Sequence, residues 1–204
     1  MYLPKSSAGQ TLLMVNLVGA VLCMGLLLCL TKRYAWDNSA VPIENVSPFP
    51  IQEQSIVGAP VRLMIPVVGV DSAVESLGLT PQGAMDIPQD PDNVGWFSLG
   101  TRPGENGSAV MAGHYGTWKN GKGSAFDRLH ELNRGDKLYV KDNAGGVTFF
   151  VVRESRNYDP EADATEVFSS SDGKSHLNLI TCEGAWDKNT KSYSQRLVIF
   201  TDKE

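Results

Sequence analysis

The chain has 204 residues, with 18 basic and 23 acidic side chains, a net charge of −5 and 42% hydrophobic residues. Fifteen of the 18 basic residues and all 23 acidic ones lie after position 33, so that part carries −8. An acidic body cannot neutralise the phosphates of a duplex, which argues against nucleic acid as a partner, and the length allows one domain plus appendages.

Residues 1–10 read as a short tail and residues 11–31 as a transmembrane anchor. Residues 11–30 hold no charge and only two clearly polar side chains, Thr11 and Asn16. About 20 apolar residues match the hydrocarbon thickness of a bilayer when helical, whereas a cleaved signal peptide has a core of roughly 7–15. Lys32, Arg33, Tyr34 and Trp36 follow as interfacial anchors do. Lys5 flanks the other side, so positive charge does not choose the orientation. Residues 32–57 contain three prolines and no sustained period, and read as an extended stalk.

From Gly58 to Glu204 the composition is that of one β-rich domain. Strands are predicted at Arg62–Val68, Ser108–Ala112, Lys137–Lys141, Val147–Arg153, His176–Cys182 and Gln195–Thr201. Turn signals separate them: Pro103-Gly104 through Asn106-Gly107, Arg134-Gly135-Asp136 and Asn143 through Gly146. A helix is predicted from Ser124, where Asp127 three residues on resembles a capping box and Phe126, Leu129 and Leu132 share a face, to Gly135. A second short helix is expected at Pro160–Phe168. Many short strands with few helices point to a β-barrel or sandwich.

Cys23 and Cys29 fall in the apolar stretch, leaving Cys182 as the one thiol of the domain. A lone thiol there is either a reactive group or a small buried apolar residue, and the cysteine alone does not decide. A nucleophilic thiol needs a base or a positive environment. His176 precedes Cys182 by six residues on one strand, roughly 20 Å at about 3.3 Å per residue, and is out of reach. His130 sits in the predicted helix and is expected to be half-packed against the core. His114 ends an apolar strand where the chain enters a loop, a favoured place for catalytic groups, and is the preferred partner. If His176–Cys182 and Gln195–Thr201 form a hairpin joined by a loop over 183–194, Arg196 falls opposite Cys182. There its guanidinium would serve a developing oxyanion, the alternative being an ordinary surface arginine at a strand start. Trp118 and Trp186 follow His114 and Cys182 in loops and are placed to line a cleft. Glu161, Asp163 and Glu166 read as solvated acids rather than a metal site, and no zinc-type Cys/His cluster or cofactor motif is expected.

Taken together these residues resemble the sortase family of membrane-anchored cysteine transpeptidases. The resemblance runs from about Gly58 to Asp202. It rests on Arg62-Leu-Met-Ile-Pro-Val-Val-Gly-Val-Asp71, Ala109-Val-Met-Ala-Gly-His114, Phe126-Asp-Arg-Leu-His-Glu-Leu132 with Gly135-Asp136, Leu179-Ile-Thr-Cys182 and Arg196-Leu-Val-Ile. Ile65-Pro-Val-Val-Gly-Val-Asp71, Gly95-Trp-Phe97 and Pro103-Gly-Glu-Asn-Gly107 look most like class F. The implied fold is an eight-stranded sortase β-barrel with short helices. The implied roles are Cys182 as nucleophile, His114 as acid/base and Arg196 as stabiliser of substrate and oxyanion. The implied partners are proteins with a C-terminal LPxTG-like sorting signal and an amine acceptor, a cell-wall precursor or another protein. The implied location is the plasma membrane, single-pass, with the catalytic domain outside the cell.

Glu183 follows the cysteine where class F members often have glycine, and the segment 154–175 holds no recognisable specificity signature. An L,D-transpeptidase-like acyltransferase would also be β-rich, but that family usually has Gly-Cys closely followed by Arg, unlike Thr181-Cys182-Glu183. A tethered binding module with a merely buried cysteine is the alternative outside enzymes.

Overall fold

The computed structural model describes residues 57–118 and 121–204. The expected tail, the anchor at 11–31 and all of the stalk except Val57 lie outside the described residues. Among the described residues no helix is long and apolar enough to cross a membrane.

Eight strands close into a barrel in the order β1-β2-β3-β4-β7-β8-β6-β5. They are β1 (Pro60–Ile65), β2 (Val70–Leu77), β3 (Val94–Phe97), β4 (Gly107–Gly113), β5 (Lys137–Asp142), β6 (Val147–Tyr158), β7 (Ser175–Asp187) and β8 (Ser192–Lys203). β2 with β3 and β4 with β7 run parallel; the other neighbours are antiparallel. One short helix, α1 (Thr165–Phe168), lies in the β6–β7 connection. The expected mainly-β barrel with short helices is therefore what this part of the chain forms.

Alternate residues of each strand fill the barrel, as the two-residue strand period requires. Leu63 and Ile65, Ala109 and Met111, Leu138 and Val140, Phe150 and Val152, Leu177 and Leu179, and Leu197 and Ile199 form one buried cluster. Val110, Val198 and Phe200 point outward, yet are also buried, with Val167 of α1 and half-buried Ile180 against them. The β4–β7–β8 wall is thus covered on both faces, which explains the continuous apolar runs of β4 and β8, while β7 alternates leucines with buried His176 and Asn178.

Several elements differ from the sequence expectation. The segment from Ser124 to Leu132 forms successive turns and a 3-10 turn at Leu129–Glu131, not an α-helix. Its bonds run from each N–H to the carbonyl three residues back, as in Leu129 to Phe126 and Leu132 to Leu129. Buried Phe126, Leu129 and Leu132 recur every third residue, the spacing that eclipses on a 3-10 path and drifts off one face of an α-helix. Ser124 and Asp127 cap no helix: the Ser124 hydroxyl donates to the Gly116 carbonyl at 2.7 Å and Asp127 accepts the Gly116 N–H at 2.9 Å. His130 is exposed rather than half-packed. β1 stops at Ile65 and residues 66–68 make a 3-10 turn, since Pro66 has no N–H to give a ladder. The helix expected over Pro160–Phe168 is confined to α1. β2 and β3 were not anticipated: β2 mixes polar and apolar residues and has only Val70 and Ser72 buried, and β3 is four residues long and includes Gly95, over which the Leu77 side chain lies so closely that a Cβ would collide.

His176, placed by spacing out of reach of Cys182, has another job. It is 3% exposed, with Nδ1 2.8 Å from Asp202 and Nε2 3.0 Å from Asp172. Asp202 also meets Arg153 at 3.0 Å. This cluster ties the end of the β6–β7 connection to β7 and β8. The His176 hydrogen bond, with help from the Lys174 N–H and the Ser170 hydroxyl, holds the Asp172 carboxyl well below the usual carboxylate range. A depressed carboxylate contributes stability above its unfolded pKa and loses it as pH falls through the folded one. Asp172→Asn is therefore expected to melt below the parent at pH 7 and to converge with it in strong acid, as thermal melts across pH will show.

Gly113 closes β4 directly beside the buried Phe126 ring, where a Cβ would lie 2.6 Å from Cδ2. Gly113→Ala forces that core ring to move and is expected to cost about 1–3 kcal/mol. Denaturant unfolding measures it, and an unchanged midpoint contradicts the close approach.

Candidate active site

Three adjacent strands carry the sequence-predicted residues. On the β7–β8 hairpin, Cys182 is paired directly with Arg196. On the other side of β7, the parallel register runs from Gly107 opposite Ser175 to Ala112 opposite Ile180. The Thr181 hydroxyl then donates to the Gly113 carbonyl at 2.9 Å, continuing that offset of 68 positions. His114 leaves β4 one residue past Gly113, at the corner beside Thr181 and Cys182, while Arg196 faces Cys182 directly across the hairpin.

Cys182 and Arg196 are half-buried on the outward face, in the floor of a groove. Burial pushes the Cys182 thiol above its ordinary value, and the Arg196 guanidinium pulls it part of the way back. Arg196 donates to the Tyr193 carbonyl at 3.1 Å, the Gln195 carbonyl at 3.0 Å and the Ser192 hydroxyl at 3.0 Å. All three acceptors are neutral, so these bonds orient the guanidinium without neutralising it.

His114 Nε2 lies 2.9 Å from the Pro88 carbonyl, and its ring packs on Trp118 with centroids 5.4 Å apart. A carbonyl only accepts, so Nε2 carries a proton and Nδ1 is the nitrogen left to exchange one. The ring is thus held from the β2–β3 connection, and His114 is not among the residues lining the groove that Cys182 and Arg196 share.

β7 and β8 do not end at Cys182 and Arg196, as the expected loop over 183–194 would require. They continue as a ladder to Asp187 and Ser192, broken by a bulge between Glu183 and Trp186. Gly184 adopts φ +84, and a Cβ there would strike the Ser194 hydroxyl, which accepts the Ala185 N–H. A glycine is required at this left-handed position, and bulges re-aim side chains beside functional sites. Past the bulge, Tyr193 stacks edge-on with Trp186 at 5.1 Å and with Tyr115 at 5.2 Å. This clasps the hairpin to the loop that follows His114.

The groove has a volume of about 310 Å³. Ile180 and Val198 form its floor with Cys182 and Arg196; Val167 and Phe168 of α1 form one wall, and Met85 and Ile87 of the β2–β3 connection the other. Ile87 and Phe168 are exposed large apolar side chains at its rim. Two of the acids considered for a cation are engaged elsewhere: Glu166 with Arg156 and Tyr158, Asp163 with the Thr165 hydroxyl. Among the described residues no group of three or more His, Cys, Asp or Glu side chains is placed to hold a metal.

Sequence reasoning missed the β2–β3 connection entirely, although it supplies both a groove wall and the His114 acceptor. Its one signal is the Pro-rich punctuation at Pro81, Pro88 and Pro91, which reads only as loop.

A sortase domain family model matches residues 63–204, from within β1 to the end of the chain. No curated protein matches the chain. Among solved structures, sortase C-1 from Actinomyces oris is similar at 24% identity over 71% of this chain and 74% of that one, with TM-score 0.55. A lid mutant of sortase A from Corynebacterium diphtheriae matches at 18% over 75% and 74%, TM-score 0.55. A sortase D5 transpeptidase from Clostridium perfringens matches at 18% over 72% and 79%, TM-score 0.52. At these identities the likeness carries the barrel itself, and the family match covers more than half of the sequence. The chain belongs to the sortase family, whose members are generally cysteine transpeptidases.

Proposed function

We propose that this chain is a cysteine transpeptidase that cleaves an LPxTG-like sorting signal and transfers the acyl product to an amine, with Cys182, His114 and Arg196 as its catalytic residues. The observation that carries the reading is a lone thiol paired with an unneutralised guanidinium in the floor of an apolar groove, with His114 leaving the adjacent strand just past Gly113. The Cys182 sulfur attacks the carbonyl after the signal's Thr, and Arg196 with backbone N–H groups receives the negative oxygen. The thiol proton passes to His114 Nδ1 as the sulfur attacks; the tetrahedral intermediate collapses, the C–N bond breaks, and Nδ1 gives that proton to the departing amine. A thioacyl enzyme remains. An incoming amine attacks it, loses a proton to His114, and expels the Cys182 thiolate as a new amide forms.

The apolar walls of Met85, Ile87, Val167 and Phe168 suit the Leu and Pro side chains of such a signal. The motifs at 65–71, 95–97 and 103–107 support class F within the family. The apolar run at 11–31 and its flanks support a single-pass plasma-membrane anchor, with tail 1–10, stalk 32–57 and catalytic domain 58–204 outside the cell. The acceptor is a cell-wall precursor amine or an amine of another protein.

Incubation with LPxTG-like peptides, with and without an amine acceptor, tests the reading. Cys182→Ala is expected to abolish cleavage. His114→Ala and Arg196→Ala are each expected to lower kcat/KM by roughly 10²–10³-fold or more while melting close to the parent. Full cleavage by Cys182→Ala would sink the proposal in favour of a binding module with an inert thiol.

Alkylation reads the thiol directly. A nearby cation favours thiolate, so Arg196→Ala is expected to move the pH midpoint of iodoacetamide labelling of Cys182 upward. An unmoved or lowered midpoint contradicts the pairing.

A further inference from the structure

We infer that Glu75 is a positioning residue for His114, acting through the peptide bond that joins Pro88 to Gln89; this rests on His114 being the acid/base of the proposed reaction. Glu75 lies on β2, half-buried, on the far side of the β2–β3 connection from His114. Its Oε2 accepts the Gln89 N–H at 3.3 Å and its Oε1 accepts the Asn93 side-chain amide at 2.8 Å. The Gln89 N–H and the Pro88 carbonyl are two ends of one planar peptide unit. The other end of that unit takes the proton of His114 Nε2 at 2.9 Å. Carboxylate, peptide and imidazole therefore form one hydrogen-bonded chain.

The chemistry follows from polarisation. A carboxylate drawing on the N–H end of an amide makes its carbonyl oxygen a stronger acceptor. That oxygen then fixes His114 as the Nε2–H tautomer, keeps Nδ1 free for proton exchange, and favours the imidazolium that forms when the thiol ionises. A carboxylate bonded directly to histidine does the same in a catalytic triad. Here an amide stands between them.

The peptide is held firmly enough to transmit this. Pro88 is buried, its ring fixes its own φ, and the Pro91 carbonyl accepts the Ala125 N–H at 2.8 Å, binding the connection to the segment after His114. Other ionisable groups at this corner are Cys182 and Arg196 from β7 and β8, Tyr193 from β8, Tyr115 and Asp127 from the loop after β4, the Asp92–Lys122 pair, and Asp86 and Asp90 of the connection itself, which accept the Ile87 and Asp92 N–H groups. Among the described residues, Glu75 is the one whose carboxylate meets the peptide that His114 bonds.

The experiment uses the full-length chain with 15N-labelled histidine, assigning His114 by its loss in His114→Gln. Ring nitrogen shifts across pH give its tautomer and pKa, and cleavage of an LPxTG-like peptide gives kcat and KM. In the parent, neutral His114 is expected as the Nε2–H tautomer. In Glu75→Gln its pKa is expected to fall by about one unit and kcat by about tenfold, with KM within about twofold. Asn93→Ala leaves the Gln89 N–H on Glu75, so it is expected to keep the parental His114 pKa. A Nδ1–H tautomer in the parent overturns the inference even if Glu75→Gln does not fold. An unshifted His114 pKa in a folded Glu75→Gln overturns it, as does an equal shift in Asn93→Ala, which would trace the effect to loop placement. The tautomer and pKa are read without turnover, so inactivity of the parent on every peptide would count against the proposed reaction and leave this reading to the spectra.

Discussion

The arrangement depends on β7 being a central strand, paired in parallel with β4 on one side and antiparallel with β8 on the other. A parallel partner runs in the same direction as β7, which is why β4 ends, and His114 emerges, beside Thr181 and Cys182 rather than at the opposite end of the wall. An antiparallel partner brings back a residue from beyond the turn, which is why Arg196 arrives opposite Cys182. Neither neighbour alone makes the site. The buried Thr181 hydroxyl fixes the parallel half by taking up the Gly113 carbonyl just where β4 runs out of ladder. A carbonyl freed at that point would otherwise be an orphan acceptor beside the core.

That same wall is covered on both faces, and the two coverings do different things. Inside, Leu177, Leu179, Leu197 and Ile199 belong to the barrel core and hold the strands rigid. Outside, α1 rests on Val110, Val198 and Phe200 only over the upstream part of the wall. Beyond α1, the outward positions Ile180, Cys182 and Arg196 are left half-buried as the groove floor. The groove is thus the uncovered remainder of a sheet face whose apolar character was set by packing. Its other wall comes from the β2–β3 connection, and the His176 cluster pins the chain just after α1 to β7 and β8.

What was legible in the sequence follows from this. β4 and β8 hold continuous apolar runs and β7 alternates leucines with polar residues, so their strands and the opposition of Cys182 to Arg196 could be read from residue type and spacing. β2 escaped because its outward face is solvated, leaving Val70 and Ser72 as its fully buried positions. The segment after Ser124 was read as α-helical because apolar residues three apart fit either helix over a short span. The bonds of Ser124 and Asp127 to Gly116 then decide for turns, and those are tertiary contacts no local pattern contains. The extension of β7 and β8 past Cys182 depends on the Gly184 bulge and the Tyr193 cluster, and both look like loop in one dimension. Of the site, Cys182, His114 and Arg196 were visible as chemistry-bearing residues at strand ends, whereas the groove walls were not. Met85, Ile87 and Pro88 carry no reactive group and matter only for where the fold places them.

The resting electrostatics point to a site that is completed by its ligand. Burial disfavours the Cys182 thiolate, and one guanidinium offsets only part of that cost. Arg196 is meanwhile satisfied by carbonyls and a hydroxyl of its own hairpin, contacts an arriving substrate oxygen can replace at little cost because they are neutral and partly solvated. A peptide that fills the apolar groove removes water from around that charge and strengthens its hold on the sulfur and on any oxygen that turns negative. In the proposed reaction the thiol would therefore ionise most readily when a signal is seated, with His114 taking the proton while its other nitrogen stays bound to the Pro88 carbonyl. An idle thiol that remains protonated is also protected from oxidation.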